Sequence, residues 1–396
     1  MPRAPLHYLT IVLAVSVASD AVPQSAAIDT SFWAERDTVL QHVPGAAKVR
    51  IAIWDSGVDT TLFRDRLARD AHGAPILRGY DPFKERQDIP TAVLPDSIAT
   101  RRSELDSALM ALDDLDAGLD SPHALALKAW FDTQTPEQQD AYFAAVDRYS
   151  GYVHGTAVAD IALSGLPDAE IIIARMEWWH GSPPVPCWSR ELADKEAASI
   201  RDLLDFVVAQ GARVVVMSWA RAEKGYISNL SECYPDMPES ERKDLAHYTV
   251  QRIREVLIAG MRTAPDVLFI GAAGNAGKSL EAADQGTRFS APNFMLVGAA
   301  DDTGAASTFS NAGAEVTFLA RGERVPARLP SGQWTYPSGT SMSAPVLANA
   351  AAKMLSVAPL LTAVQLRSIL ENTATVNAEG LHVLHMRRAV EAASGK

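Results

Sequence analysis

The chain has 396 residues, 47% of them hydrophobic and 21% charged, which is the composition of an ordinary globular protein and not of a disordered one. That length allows one to three domains. The formal net charge of -12 argues against a nucleic-acid partner, since binding phosphates takes basic patches, and otherwise bears mainly on solubility.

Arg3 precedes an apolar run over residues 8–18 that ends in small residues. This is the pattern of a secretory signal peptide over residues 1–18, with Ser16-Val17-Ala18 at the cleavage site. The run is too short for a transmembrane helix; an apolar N-terminal helix or anchor is the competing reading. No other stretch is apolar enough to span a bilayer, so the expected destination is secreted or periplasmic, with no membrane span once the signal is removed. An arm at Ser31-Phe32-Trp33-Ala34 follows. Apolar runs then alternate with helical patterns: strand 49–54, a helix from His154, strand 170–175, helix 191–210, strand 213–218, helix 240–263 and strand 266–271. Strands alternating with helices predict an α/β architecture, a mostly parallel central sheet between two helical layers. Ser341 opens a helical run over 342–357, with Pro345 early enough to be tolerated. A last amphipathic helix covers 362–372, with Thr362 as its N-cap.

Residues 84–150 hold 13 Asp or Glu against 6 Lys or Arg, a net of -7, so more than half of the chain's excess negative charge lies there. Their pattern is helical over 103–119, 123–131 and 136–149. They read as a helical insertion beside the site, acting either as a lid or recognition module or as a decoration without a catalytic role. Cys187 and Cys233 lie in two further segments, 178–190 and 222–239. In an oxidising compartment they would form one disulfide; two unpaired thiols are the alternative, and neither has a metal-site spacing.

Four separated motifs carry chemistry. Asp55 stands in Ile53-Trp54-Asp55-Ser56-Gly57-Val58-Asp59, His154 opens His154-Gly155-Thr156-Ala157-Val158-Ala159, and Asn275 lies in Gly271-Ala272-Ala273-Gly274-Asn275-Ala276-Gly277. Ser341 lies in Ser338-Gly339-Thr340-Ser341-Met342-Ser343-Ala344-Pro345. A carboxylate, an imidazole, a hydroxyl and an amide are the groups needed to attack a carbonyl and hold the resulting oxyanion. Each motif alone has a bland reading: Asp-Ser-Gly and Gly-Asn favour turns, and Ser-Gly-Thr-Ser starts many helices. Their joint presence outweighs those readings. The Gly-x-Ser-x-Gly elbow of α/β-hydrolases is absent, because Ser343 stands at the second glycine.

In the order Asp, His, Ser, with these flanking residues, the chain resembles a subtilisin-like serine peptidase (a subtilase, peptidase S8 type) over about residues 48–375. The resemblance implies a three-layer subtilisin-like fold over 31–396, with the helical insertion 84–150 and polypeptide as substrate. It also implies catalysis by Asp55, His154 and Ser341, an oxyanion hole containing Asn275, and no required cofactor. Asp59 receives a local structural role. Many relatives bind structural calcium, and the acidic loops here allow it without an EF-hand pattern to place it. Substrate should pair with the edge Met217-Ser218-Trp219-Ala220, with Ser218, Trp219, Ala220 and Gly274 in contact. Trp219 and Ala220 replace a leucine and a glycine usual in the family, and Arg221 is expected to narrow or recharge the primary pocket toward acidic side chains. The opposite edge carries Trp178-Trp179-His180-Gly181-Ser182-Pro183, whose proline removes a donor from peptide pairing. Two rival readings stand beside hydrolysis: a peptide ligase that resolves the acyl-enzyme with an amine, and a silent peptide-binding module.

Overall fold

The structure is a computed structural model that describes residues 31–46, 48–177 and 185–395. The expected signal peptide, 1–18, and the Trp-Pro segment 178–184 lie outside the described residues.

In chain order the first elements are α1 (Ser31–Arg36), β1 (Val49–Asp55), β2 (Leu77–Tyr80), α2 (Asp96–Ala99), α3 (Arg102–Asp116), α4 (Pro122–Phe131) and α5 (Pro136–Leu163). Then come β3 (Ala169–Met176), α6 (Arg190–Ala209), β4 (Val214–Met217), α7 (Glu223–Cys233), α8 (Glu239–Arg262), β5 (Leu268–Ala272), α9 (Leu280–Ala283) and β6 (Phe294–Ala300). The last are β7 (Val316–Arg321), β8 (Ala327–Arg328), β9 (Trp334–Thr335), α10 (Thr340–Val357), α11 (Ala363–Thr373), β10 (Thr375–Val376), β11 (His382–Val383) and α12 (Met386–Ala393).

The central sheet runs β10-β11-β7-β6-β5-β4-β1-β3-β2. Its pairs are parallel except the last short one, β10 with β11. β1, β3, β4 and β5 read as near-continuous apolar runs because both faces of a parallel sheet are covered. Side chains alternate across β1: Ile51 and Ile53 face a core shared with α5 and α10, whereas Ala52 and Trp54 face one shared with α6 and α8. The three expected layers follow from that alternation.

Local signals set the helix starts. Thr135 and Gln138 form a capping box ahead of Pro136 at the first turn of α5. Ser189 caps α6 and Thr362 caps α11 through their side chains. One expected boundary is corrected. Residues 136–149 and the helix expected to begin at His154 are a single 28-residue helix, α5, so His154 lies well inside a helix and not at its start. Gly151 and Gly155 each lower helix propensity by about 1 kcal/mol relative to alanine. The burial of Ala157, Val158, Ile161 and Ala162 in the core below β1 outweighs that loss. The helical insertion therefore flows without a joint into the helix that carries His154. It has its own small core, in which Leu105, Ala108, Val146 and Tyr149 meet Leu329. Cys187 and Cys233 are joined in a disulfide, Cα–Cα 5.7 Å, tying the approach to α6 to the end of α7.

Candidate active site

Asp55 ends β1 and is fully buried. Its Oδ1 accepts hydrogen bonds from its neighbour's backbone, Ser56 N at 2.7 Å, and from His154 Nδ1 at 2.8 Å. A carboxylate only accepts, so the imidazole carries its proton on Nδ1 and presents Nε2 as a base. The register of helix against strand is held by close contacts. Gly155 N donates to Ser56 Oγ at 3.1 Å, and Asp59 N donates to Thr156 Oγ1 at 3.0 Å. A Cβ on Gly155 would stand 2.2 Å from the Gly57 carbonyl oxygen, so glycine is required for the helix to approach the strand end. Asp59 itself accepts from Thr61 and stays within its turn. Burial opposes charging of His154, but the Asp55 carboxylate, by charge and hydrogen bond, more than offsets it and raises the imidazole pKa above its ordinary value.

Ser341 is half-buried in the first turn of α10. Its carbonyl accepts from Ser218 Oγ at 2.8 Å, which ties the start of α10 to the residue just beyond β4. Asn275 follows β5. Its Oδ1 accepts from Thr340 N at 2.8 Å and Thr340 Oγ1 at 2.7 Å, and the same hydroxyl accepts from Gly274 N at 2.9 Å. Fixing Oδ1 in this way leaves the Nδ2 donor turned toward Ser341. Both Ser341 Oγ and Asn275 Nδ2 lie within 3.2 Å of one point, the place a Cβ on Gly339 would occupy. Gly274 has φ +96°, and a Cβ there would stand 2.5 Å from Asn311 Nδ2, so this turn too admits only glycine.

Three residues have bracing roles that only the geometry reveals: Ser56 and Thr340, inside the aspartate and serine motifs, and Asn311. Asn311 Nδ2 donates to the Ala273 carbonyl at 3.0 Å, and its Oδ1 accepts from Ala276 N and Lys278 N at 3.1 Å, bracing the loop that carries Asn275. Only the proximity of 273–278 to 311 in space reveals it.

The segment expected to meet substrate, residues 217–220, leaves the end of β4. Trp219 is buried, its ring edge-on to Trp54 with centroids 5.3 Å apart. The expectation that Arg221 recharges the pocket is corrected. Its Nε donates to Glu196 at 3.0 Å, Tyr226 Oη donates to the same carboxylate at 2.6 Å, and Lys84 Nζ lies 3.6 Å away. Burial opposes ionisation of Glu196, but Lys84 and Arg221, with the hydrogen bonds from Tyr226 and Arg221, bring its pKa down to about 2. Beneath the opposite side of the site runs a strap from the start of the insertion. Val58 N donates to the Pro90 carbonyl at 2.8 Å, and Gly57 bridges Thr91. The fully buried Arg175, in register with Asp55 on β3, donates to the carbonyls of Gln87 at 2.9 Å and Ile89 at 3.1 Å and pairs with Glu177 at 2.8 Å.

Among the described residues one group brings three metal-type donors together: Glu223, His247 and Asp284. Asp284 is bound there by Arg254 at 2.8 Å, and Arg288 lies at 3.7 Å. The group therefore reads as an ion-pair network joining α7, α8 and the end of α9.

A parallel sheet covered by helices on both faces, with these four groups at the carboxyl ends of its strands, defines an α/β protein of the subtilisin-like fold. The chain belongs to the subtilase family: the Peptidase S8 family model matches residues 46–388. Subtilisin E of Bacillus subtilis (strain 168) is 38% identical over 109 residues, which is 28% of this chain and 29% of that relative. Subtilisin DY of Bacillus licheniformis is 38% identical over 112 residues, 28% of this chain and 41% of that relative. The chain thus spans under half the length of the curated relatives it matches. Among solved structures, the patellamide maturation protease PatG matches with a TM-score of 0.52 at 18% identity, covering 89% of this chain and 93% of that one. The subtilase cytotoxin SubAB structure matches at 0.52 and 15% identity, covering 88% and 90%. At those identities the likeness is one of fold. Among the described residues no helix is long and apolar enough to cross a membrane.

Proposed function

We infer that the chain is a serine endopeptidase, secreted or periplasmic, that hydrolyses polypeptides through an acyl-enzyme. The supporting observation is the convergence at one sheet edge of two half-sites: the hydrogen-bonded Asp55–His154 pair, and Ser341 Oγ with Asn275 Nδ2 around Gly339. In this reading His154 Nε2 takes the Ser341 proton as Oγ attacks the scissile carbonyl. The tetrahedral oxyanion is held by Asn275 Nδ2 and by the Ser341 backbone N–H at the start of α10. His154 then returns the proton to the leaving amine, and water, activated by the same imidazole, cleaves the ester. Asp55 fixes the tautomer and offsets the imidazolium charge. Ser218, Ala220 and Gly274, with the Trp219 backbone, form the edge along which the peptide lies.

A fluorophosphonate probe tests the assignment. It should label wild-type protein on Ser341 and leave a folded Ser341→Ala variant unlabelled, with loss of peptide cleavage on the order of 10⁶ in kcat. Equal labelling or equal cleavage by Ser341→Ala refutes it. The helical insertion continuous with the catalytic helix favours a second reading, resolution of the acyl-enzyme by an amine. Product mass distinguishes ligation from hydrolysis, and an intact enzyme that neither cleaves nor labels is the binding module.

A further inference from the structure

A cavity lies between the N-terminal arm, α5, α10 and the C-terminal segment. Its volume is about 440 Å³, within the range of small-molecule sites. Trp33 of α1, Ile161 at the end of α5, Val346 of α10, and Leu384 and Met386 near α12 give it an apolar wall. Its charged lining is unbalanced: Arg36, Arg321 and Arg324 against Asp37.

The state of each charge decides what the cavity accepts. Asp37 is engaged by the buried Lys353 at 3.3 Å, and Arg324 by Asp114 at 3.3 Å. Arg321 has Asp302 at 3.8 Å and donates to the carbonyls of Glu323 at 3.3 Å and Arg324 at 3.0 Å, so its charge is met by no close carboxylate among the described residues. Arg36 lies over the Phe32 ring, 3.6 Å from its centroid, and feels the charge of Glu35 without a close ion pair among the described residues. Its terminal nitrogens reach the Phe32 carbonyl at 3.3 Å and Thr375 Oγ1 at 3.4 Å, and its Nε is buried with no acceptor among the described residues. Burial, with the neighbouring Arg388, lowers the Arg36 pKa, and burial, with Arg388 and Arg36, lowers that of His385 close by. The local field is positive, and a buried donor without an acceptor costs about 1–3 kcal/mol. An anionic group would relieve both, and the apolar wall would take a hydrocarbon body.

We propose that this cavity is a binding site for a small amphiphilic anion, a single-chain carboxylate whose head pairs with Arg36 and Arg321 and whose tail lies against Trp33, Val346 and Leu384. The volume is too small for a two-chain phospholipid. The ligand would join four parts distant in sequence: the arm, α5, α10 and the C-terminal segment. It does not depend on the peptidase reading, because its measurement is binding and not turnover.

The test is calorimetry on the full chain with decanoate below its micelle concentration, against decan-1-ol and decylammonium. Decanoate should bind saturably at one site, decan-1-ol at least about 10-fold more weakly, and decylammonium not at all, consistent with a charge-assisted contact. Arg36→Met should weaken decanoate at least about 10-fold, and Arg36→Lys should restore part of it. Val346→Phe, which fills the cavity without touching its charge, should abolish binding of decanoate and decan-1-ol alike and serves if Arg36→Met fails to fold. Equal affinity for acid and alcohol, indifference to Arg36→Met or to Val346→Phe, or the absence of saturable binding overturns the proposal. Vesicles of phosphatidylglycerol should not compete; competition would place the site on the surface and also refute it.

Discussion

At the scale of single residues, the balance of forces on His154 has a measurable consequence. Burial alone would push the imidazole pKa down; the Asp55 carboxylate brings it up past its ordinary value. A general base works only when neutral, so kcat/KM should rise with pH along a limb whose midpoint lies above about 6.5, the ordinary imidazole value. The same shift favours the folded state below the ordinary pKa, and that contribution is lost as pH rises through the folded one. Asp55→Asn removes the charge and leaves the burial. The limb should then move below about 6.5 while kcat falls on the order of 10⁴-fold. A limb that stays in place in Asp55→Asn would show that the carboxylate does not control His154. The candidates Asp55, His154, Asn275 and Ser341 stand out in sequence because each lies in a motif with flanking glycines and small residues, two of which, Gly155 and Gly274, leave no room for a Cβ. The bracing roles of Thr340 and Asn311 do not, because a linear pattern does not show which backbone groups a hydroxyl or amide will reach. Trp219 and Arg221 turn inward, against Trp54 and Glu196, and nothing in a linear pattern says which way a side chain turns after a strand ends.

At the scale of elements, the alternation of strands and helices was readable because burial on both faces of a parallel sheet leaves a continuous apolar run. The continuity of the insertion with the helix of His154 was not, because the pattern reads as two helical runs, 136–149 and one from His154, which the fold joins into a single helix. Arg175 shows the same limit. In sequence it is a charge near the end of an apolar strand; in the fold it lies fully buried under the strap 87–91 and holds it by two backbone carbonyls. The strap in turn pairs with Gly57 and Val58, three residues or fewer beyond Asp55. Arg175→Met should therefore destabilise the protein by about 3–5 kcal/mol, the range for breaking a buried ion pair from one side. Fluorescence-monitored urea unfolding reads that loss, and limited proteolysis should find new cleavage near residues 86–91. A change below about 1 kcal/mol, the scale of an exposed pair, would mean that the strap is held by other contacts.

At the scale of the whole molecule, the insertion grips the catalytic domain at a second point, close to the segment that leads into Ser341. Asp113, near the end of α3, accepts hydrogen bonds from Thr335 Oγ1 of β9 and from Tyr336 N at 3.0 Å, and Arg324 donates to the Asp113 carbonyl at 3.1 Å. Burial pushes the Asp113 pKa up to about 6, against the pull of those hydrogen bonds and of Arg324. The folded protein therefore binds this proton more tightly than the unfolded chain, whose carboxyl titrates near about 3.9. Its stabilising contribution is fully present below about pH 4 and is lost as pH rises through about 6. An amide at this position keeps an acceptor for Thr335 and Tyr336 and carries no charge to bury. Asp113→Asn, made on a Ser341→Ala background to prevent self-digestion, should match its parent at pH 4. It should become more stable than the parent by about 1–2 kcal/mol at pH 7.5, the gap opening between about pH 4 and 6. Denaturant midpoints across that range measure it. If Asp113→Asn is instead the less stable protein at pH 7.5, the charged carboxylate and Arg324 hold the insertion in place, and acid, not neutral pH, is what loosens the helical segment from the approach to Ser341.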